Sequence, residues 1–258
     1  MAQTKPTFVI VPGAFHSASC YEPLFSALRS SGYETKTGTL KSVVDASKVL
    51  GDDIAFVKEE LLLPLIEQEG KDVVVACHSY GGFPTSVAIA GLSKVERTAK
   101  GEKGGIIGLI YICAFVPREG LALFDMIGGK WAPWHVPKED IGLIGFTNPH
   151  ATFFADVPSA LSNDVIANLD DHSMPSAQSP CPPTHYSHPA YDHGCRVYIR
   201  TAQDAALPVF VQDMMIEASA CEWDVRRFET SHSPFLSVTG ELRDVLVGCA
   251  EEWAGKIE

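Results

Sequence analysis

Three side chains far apart in the chain could together carry out acyl transfer. Ser79 lies in Cys77-His78-Ser79-Tyr80-Gly81-Gly82, directly after the apolar run Val73–Cys77 and ahead of a helical pattern. This is close to G-x-S-x-G, a strained strand-to-helix turn that lifts a serine hydroxyl out of a sheet as a nucleophile. Bulky residues two before or two after the serine would collide with the adjoining strand and helix. Gly81 satisfies the second position, and Cys77 stands in place of Gly at the first. A nucleophilic serine needs a base to take its proton and a carboxylate to orient that base. Asp204, in Thr201-Ala202-Gln203-Asp204, and His232, in Ser231-His232-Ser233-Pro234, supply both in the order serine, acid, histidine. The fourth requirement is a pair of amides for the developing oxyanion. The Tyr80 amide follows the nucleophile, and the loop Pro12-Gly13-Ala14-Phe15 offers the Ala14 amide, with Gly13 allowing close backbone approach.

These residues must be held by a sheet. Thr7–Val11 is a continuous apolar run, as expected of a strand buried on both faces. Tyr33–Thr37 reads as a shorter strand, and Asp72–Cys77 and Ile106–Phe115 as central ones. Arg196–Thr201 and Asp224–Phe228 follow, each preceding a helix-like segment (Pro208–Ala218 and Gly240–Ala254). Asp45 to Glu69 has helical spacing with a kink expected at Pro64, and Lys94 to Gly105 has the composition of a solvated loop. The alternation predicts an α/β fold, a mostly parallel, doubly wound sheet covered by helices. Ser79, Asp204 and His232 then all fall at the carboxyl ends of strands, where such folds bind ligands.

Residues 117–194 break this alternation, being rich in Pro, Trp and His without a strong strand, and too long for a bare connection. An inserted, mainly helical cap over the sheet edge is expected there. The core would be 1–116 and 195–258, and the whole one structural domain. Phe15, Tyr80 and Phe115 flank the motifs, and the cap offers Leu123, Trp131, Trp134, Phe153 and Phe154. Each is either pocket lining or plain core. Taken together they suggest an apolar or aromatic substrate. His16 is either a substrate contact or a structural histidine. His185, His188 and His193 cluster beside Asp192, but in an irregular Pro-rich stretch with no helix to align the rings, so no metal site is expected.

Composition bounds the rest. With 20 Lys and Arg against 32 Asp and Glu, the formal charge is −12, unsuited to a nucleic-acid partner. The 46% hydrophobic content is that of a globular chain. Seven cysteines without a CxxC pair suggest free thiols rather than a disulfide framework. Met1 to Pro6 is polar and leads straight into a strand-like run, so no signal peptide is expected. The apolar run Ile106 to Val116 is far below the roughly 20 residues of a membrane helix. A cytoplasmic location without a membrane partner is expected.

The chain resembles the α/β-hydrolases, and within them the branch of plant methyl esterases, hydroxynitrile lyases and related bacterial and fungal esterases. The resemblance covers nearly the whole chain. It rests on Phe8–Cys20, Tyr21–Gly32, Ala76–Gly82, Tyr111–Gly120, Tyr198–Pro208 and Ser231–Leu236. It implies the α/β-hydrolase fold, a small-molecule ester or lactone substrate, no cofactor, and possible homodimers. In the lyases of this branch a Thr stands where this chain has Gly13, and a Lys where it has Ser233. Both positions therefore side with hydrolysis, and both enter the expected substrate contacts. Carbon–carbon lyase chemistry on the same triad, and ligand binding without turnover, remain open alternatives. Pro12 replaces the family's usual His, whose hydrogen bonds behind the oxyanion loop need another source.

Overall fold

The computed structural model describes residues 5–192 and 194–256. Strands β1 (Thr7–Val11), β2 (Thr35–Lys36), β3 (Asp72–His78) and β4 (Gly105–Ile112) form a sheet with two strands from much later in the chain. Between these groups lie β5 (His135–Lys138), β6 (Leu143–Phe146) and β7 (His172–Ser173); β8 (Arg196–Thr201) and β9 (Asp224–Phe228) follow. The sheet order is β2-β1-β3-β4-β8-β9, and every neighbouring pair is parallel. β1, β3 and β4 match the apolar runs because strands covered on both faces need no alternation, whereas the edge strand β9 (Asp-Val-Arg-Arg-Phe) is partly exposed. β1, β3 and β4 are almost wholly buried. The register aligns Val11 with Cys77, His78 with Ile112, and Thr201 with Phe228, so the loops after β1, β3, β8 and β9 emerge at one edge.

Helices cover the sheet, among them Glu22–Ser30, Gly82–Ala88, Val209–Ala218 and Thr239–Lys256. The last brings Trp253, 1% exposed, onto β4 at Gly108, where a Cβ would lie 2.1 Å from the indole ring. A helix at Leu50–Ala55 continues as π-type turns over Phe56–Leu62 and Pro64–Gln68, and Pro64 begins the second of these. The stretch expected to be a solvated loop contains a helix instead, Lys94–Ala99. Ser93 caps it: its Oγ accepts from Glu96 N at 3.2 Å and donates to Glu96 Oε2 at 2.6 Å. That Ser-x-x-Glu start signal outweighs the charged composition.

Between β4 and β8 the chain forms short helices (Leu123–Met126, Pro149–Phe153, Ser159–Ile166, Met174–Ala177) and one feature that composition did not announce. This is the antiparallel sheet β5-β6-β7, whose hairpin turns at Gly142 with φ 68°. Among the described residues all seven cysteines are free, and no helix is long and apolar enough to cross a membrane. Gly108→Ala is expected to destabilise the fold by about 1–3 kcal/mol, because the indole must shift to admit a methyl group. Urea unfolding monitored by Trp fluorescence checks this.

Candidate active site

Ser79 is the first residue after β3 and has φ 51°, a left-handed conformation costly for a residue with a Cβ. The geometry is possible because the next turn is stripped of side chains. A Cβ on Gly81 would lie 2.4 Å from the Pro12 carbonyl oxygen, and one on Gly82 would lie 2.0 Å from that of Phe115. Cys77, at the position usually held by Gly, is fully buried in β3 and takes its place in the ladder opposite Val11 and Tyr111.

His232, 2% exposed, directs Nδ1 to Asp204 Oδ2 at 2.7 Å. The carboxylate is fixed by more than the imidazole. Asp204 also accepts from Thr201 Oγ1 (2.9 Å), Ala206 N (2.9 Å) and Leu207 N (2.8 Å). His232 Nδ1 therefore carries the proton, and Nε2 keeps its lone pair. Among the described residues no hydrogen bond joins Ser79 Oγ to Nε2. Both side chains line one cavity, and such bonds commonly tighten only with substrate present. Ala14 lines the same cavity, and its amide has no acceptor among the described residues. The Tyr80 amide lies in the first turn after Ser79, where N–H groups lack intrahelical acceptors.

A buried chain of hydrogen bonds ties these loops together. Gly13 N donates to Tyr21 Oη at 3.0 Å, and Tyr21 Oη donates to His78 Nδ1 at 2.7 Å. His78 Nε2 donates to the His232 carbonyl at 2.9 Å. A carbonyl can only accept, so the direction of every link is set. His78 is fully buried, and its pKa is held well below the ordinary histidine range by desolvation, then by the nearby His232 and His16 rings. Tyr21 stacks on Phe235 at 4.4 Å, which keeps its hydroxyl aimed at His78. Tyr80 is fixed separately: its hydroxyl donates to the buried Asp53 at 2.9 Å and lies 2.6 Å from Ser176 Oγ of the cap. Burial raises the Asp53 pKa, and the donors from Ser42, Tyr80 and Ser176 oppose that rise.

The site residues frame a narrow pocket with room for only about 50 Å³ of water-sized guests, within about 590 Å³ of space that includes the solvent at its mouth. Of the expected contacts, Phe15, His16, Phe115, Leu123, Trp131, Trp134 and Phe153 line it. Three others do not. Gly13 lies behind the nucleophile, where a Cβ would approach Ser79 Cβ to 2.9 Å. Phe154 is fully buried and turned away, its ring packing on His16 and Phe153. Ser233 is fully buried at the start of the short helix Pro234–Ser237, clear of the cavity. Sequence reasoning missed His135 and His172, which reach the cavity from the cap sheet. Burial lowers the pKa of His16 and His135 to about 4 and that of His172 to about 3. His185 and His188 lie elsewhere: His185 N donates to Ser86 O, and His188 Nδ1 accepts from Ala190 N. His193 lies outside the described residues.

Two outcomes follow from the buried imidazoles. Tyr21→Phe leaves the Gly13 amide unpaired, which is expected to cost about 1–3 kcal/mol of stability. Loosening the oxyanion loop should lower kcat roughly 10- to 100-fold with little change in KM; steady-state kinetics on an aryl ester checks the split. The second concerns acid. His16, His135 and His172 stay neutral when folded, whereas the unfolded chain takes up protons near pH 6.5. Stability is therefore full above that pH and falls as pH drops from 6.5 towards 4. Urea midpoints across this range should show the fall, with a shallower slope in His172→Phe.

Comparison with known proteins agrees with this architecture. Residues 8–245 match the model of the alpha/beta hydrolase family. A protein from Phoma sp. named as a probable hydrolase is 28% identical over 260 residues, covering 96% of this chain and 99% of that one. A carbendazim hydrolyzing esterase from Nocardioides sp. is 31% identical over 64% of each chain. Among solved structures, a pyrethroid hydrolase from Sphingobium faniae superposes with a TM-score of 0.72 at 18% identity, covering 96% of this chain and 98% of that one. A methylesterase from Arabidopsis gives 0.68 at 21%, covering 95% and 99%. The chain belongs to the alpha/beta hydrolase family: it is a hydrolase, similar along its length to proteins named as hydrolases and esterases.

Proposed function

We propose that the protein hydrolyses a carboxylic ester or lactone of a small, uncharged, largely aromatic molecule through an acyl-enzyme. The observation that carries this is the shared cavity of Ser79, held at φ 51°, and His232, backed by Asp204 at 2.7 Å. Ser79 Oγ attacks the carbonyl carbon while His232 Nε2 takes the hydroxyl proton. The carbonyl oxygen becomes an oxyanion facing the Ala14 and Tyr80 amides. Donors preset in this way contribute about 2.7–4 kcal/mol each to the transition state. The tetrahedral intermediate collapses, and the leaving alcohol takes the proton from His232. Water, giving a proton to the same nitrogen, then attacks the acyl carbon; the acid departs and Ser79 recovers its proton. Asp204 keeps the imidazole in the Nδ1–H tautomer and stabilises its cation.

The cavity supports the substrate class. Its walls are Phe, Trp, Leu, Ile, Ala, Tyr, Ser and His, and among the described residues no Asp, Glu, Lys or Arg side chain lines it. Desolvating an ionic ligand there would be uncompensated. This argues for neutral substrates more directly than the overall charge does. Gly13, where a Cβ would come within 2.9 Å of Ser79 Cβ, stands where the lyases this chain resembles carry Thr, and that difference supports hydrolysis over the lyase alternative. The names of relatives, a methylesterase and a carbendazim hydrolyzing esterase among them, point the same way.

Ser79→Ala is expected to lower turnover of a 4-nitrophenyl ester roughly 10⁴-fold or more. Wild-type protein mixed with excess ester should give a burst of nitrophenol, equal to the enzyme concentration if deacylation is slow. Near-native turnover by Ser79→Ala, or aldehyde release from cyanohydrins without ester hydrolysis, would overturn the assignment.

A further inference from the structure

The turn 79–82 offers the fold one side chain to hold besides the nucleophile's own, because its last two residues are glycines. That side chain is Tyr80, 1% exposed. The Ser79–Tyr80 peptide carries the amide assigned above to the oxyanion. Its carbonyl end is already fixed, since Ser79 O accepts from Phe115 N at 3.0 Å. In a trans peptide the N–H points opposite to the C=O. What remains to be set is the tilt of this plane on its Tyr80 side, and there the main chain follows the ring.

The ring is gripped along its length. It stacks on Phe83 at 5.8 Å, meets His172 edge-on at 4.6 Å, and its hydroxyl donates to Asp53 Oδ2 at 2.9 Å. Asp53 stands on the core helix Leu50–Ala55, is 0% exposed, and is itself oriented. Its Oδ1 accepts from Ser42 N at 3.0 Å, and its Oδ2 also accepts from Ser176 Oγ at 3.3 Å. A carboxyl group is a costly filler for buried space, and an apolar side chain of similar size would occupy it without that cost. What the carboxyl group adds is a directed acceptor for the Tyr80 hydroxyl.

We propose that Asp53 is a positioning residue for the reaction. By holding the Tyr80 hydroxyl it sets the direction in which the Tyr80 amide meets the oxyanion, and so acts on the transition state from the far end of the tyrosine ring. Asp53 does not line the cavity; it touches no substrate and exchanges no proton with one. A donor turned away from the developing charge loses much of its effect on rate while ground-state binding is little changed. The proposal deepens the hydrolytic reading above and rests on it for the oxyanion.

Two reactions of Ser79 read the amide separately. One is turnover of 4-nitrophenyl acetate. The other is labelling by dimethyl fluorophosphate: Ser79 Oγ bonds to phosphorus, fluoride leaves, the proton passes to His232, and the phosphoryl oxygen takes the oxyanion's place. The labelling rate constant does not depend on how much of a variant folds, and the plateau reports that fraction. Asp53→Leu and Tyr80→Phe are each expected to lower kcat and the labelling rate constant roughly tenfold or more, with KM within threefold of wild type. Asp53→Asn, which keeps an acceptor oxygen, should be faster than Asp53→Leu. The Asp53→Leu, Tyr80→Phe double variant should be no more than threefold slower than the slower single one, because both cut the same contact; independent losses would multiply to about 100-fold. A loss below tenfold in either single variant, a KM change above threefold, or losses that multiply would overturn the proposal. If Asp53→Leu gives no labelling plateau, Tyr80→Phe, which lacks a single oxygen, decides at the same limits. Wild-type turnover that the variants match keeps the hydrolytic reading and removes the positioning role. Wild-type labelling without ester turnover removes the hydrolytic reading, and the labelling rates then decide the positioning role; no labelling of the wild-type protein overturns both.

Discussion

His78 lies fully buried between three loops, and its two ring nitrogens are both satisfied only when the ring is neutral with its proton on Nε2. In that state it accepts from Tyr21 and donates to the main chain of the catalytic-base candidate. Protonation would set a charge beside the His16 and His232 rings in a desolvated space and remove the acceptor that Tyr21 needs. Because Tyr21 in turn holds the Gly13 amide, one uncharged imidazole links the loop after β1, the turn after β3 and the loop after β9. The tie sets the relation of the Ala14 loop, the Ser79 turn and the His232 loop around one cavity.

The same economy of polar groups marks the cap. Asp53, buried beneath Tyr80, gathers donors from Ser42, Tyr80 and Ser176, and so joins a core helix, the nucleophile turn and the cap. On the other side Ser231, next to His232, donates to Asp156 and to the Phe153 carbonyl of the cap. Two of the cap's attachments thus flank Ser79 and His232, and aromatic side chains line the cavity between them.

Much of this was legible in the chain because the relevant signals are local. β1, β8 and β9 coincide with the strands expected from the sequence, and Ser79, Asp204 and His232 each follow one of the strands so expected. The Tyr21–His78 tie was not legible, since nothing in either residue's neighbourhood names a partner 57 positions away. The cap resisted for a different reason: its strands are only two to four residues long, too short to show a period. His135 and His172 therefore stayed hidden among loop histidines. Phe153 and Phe154 show the limit of composition, because neighbours in sequence point one into the cavity and one behind it. The helix at Lys94–Ala99 was legible after all in Ser93 and Glu96, and charge content obscured it.

Histidine tautomers can be read directly from long-range ¹H–¹⁵N correlations of the imidazole rings. At pH 7 the account requires His78 with its proton on Nε2 alone, and His232 with its proton on Nδ1. The His78 pattern should persist unchanged to pH 5. A His78 ring protonated on Nδ1, or doubly protonated within that range, would contradict it.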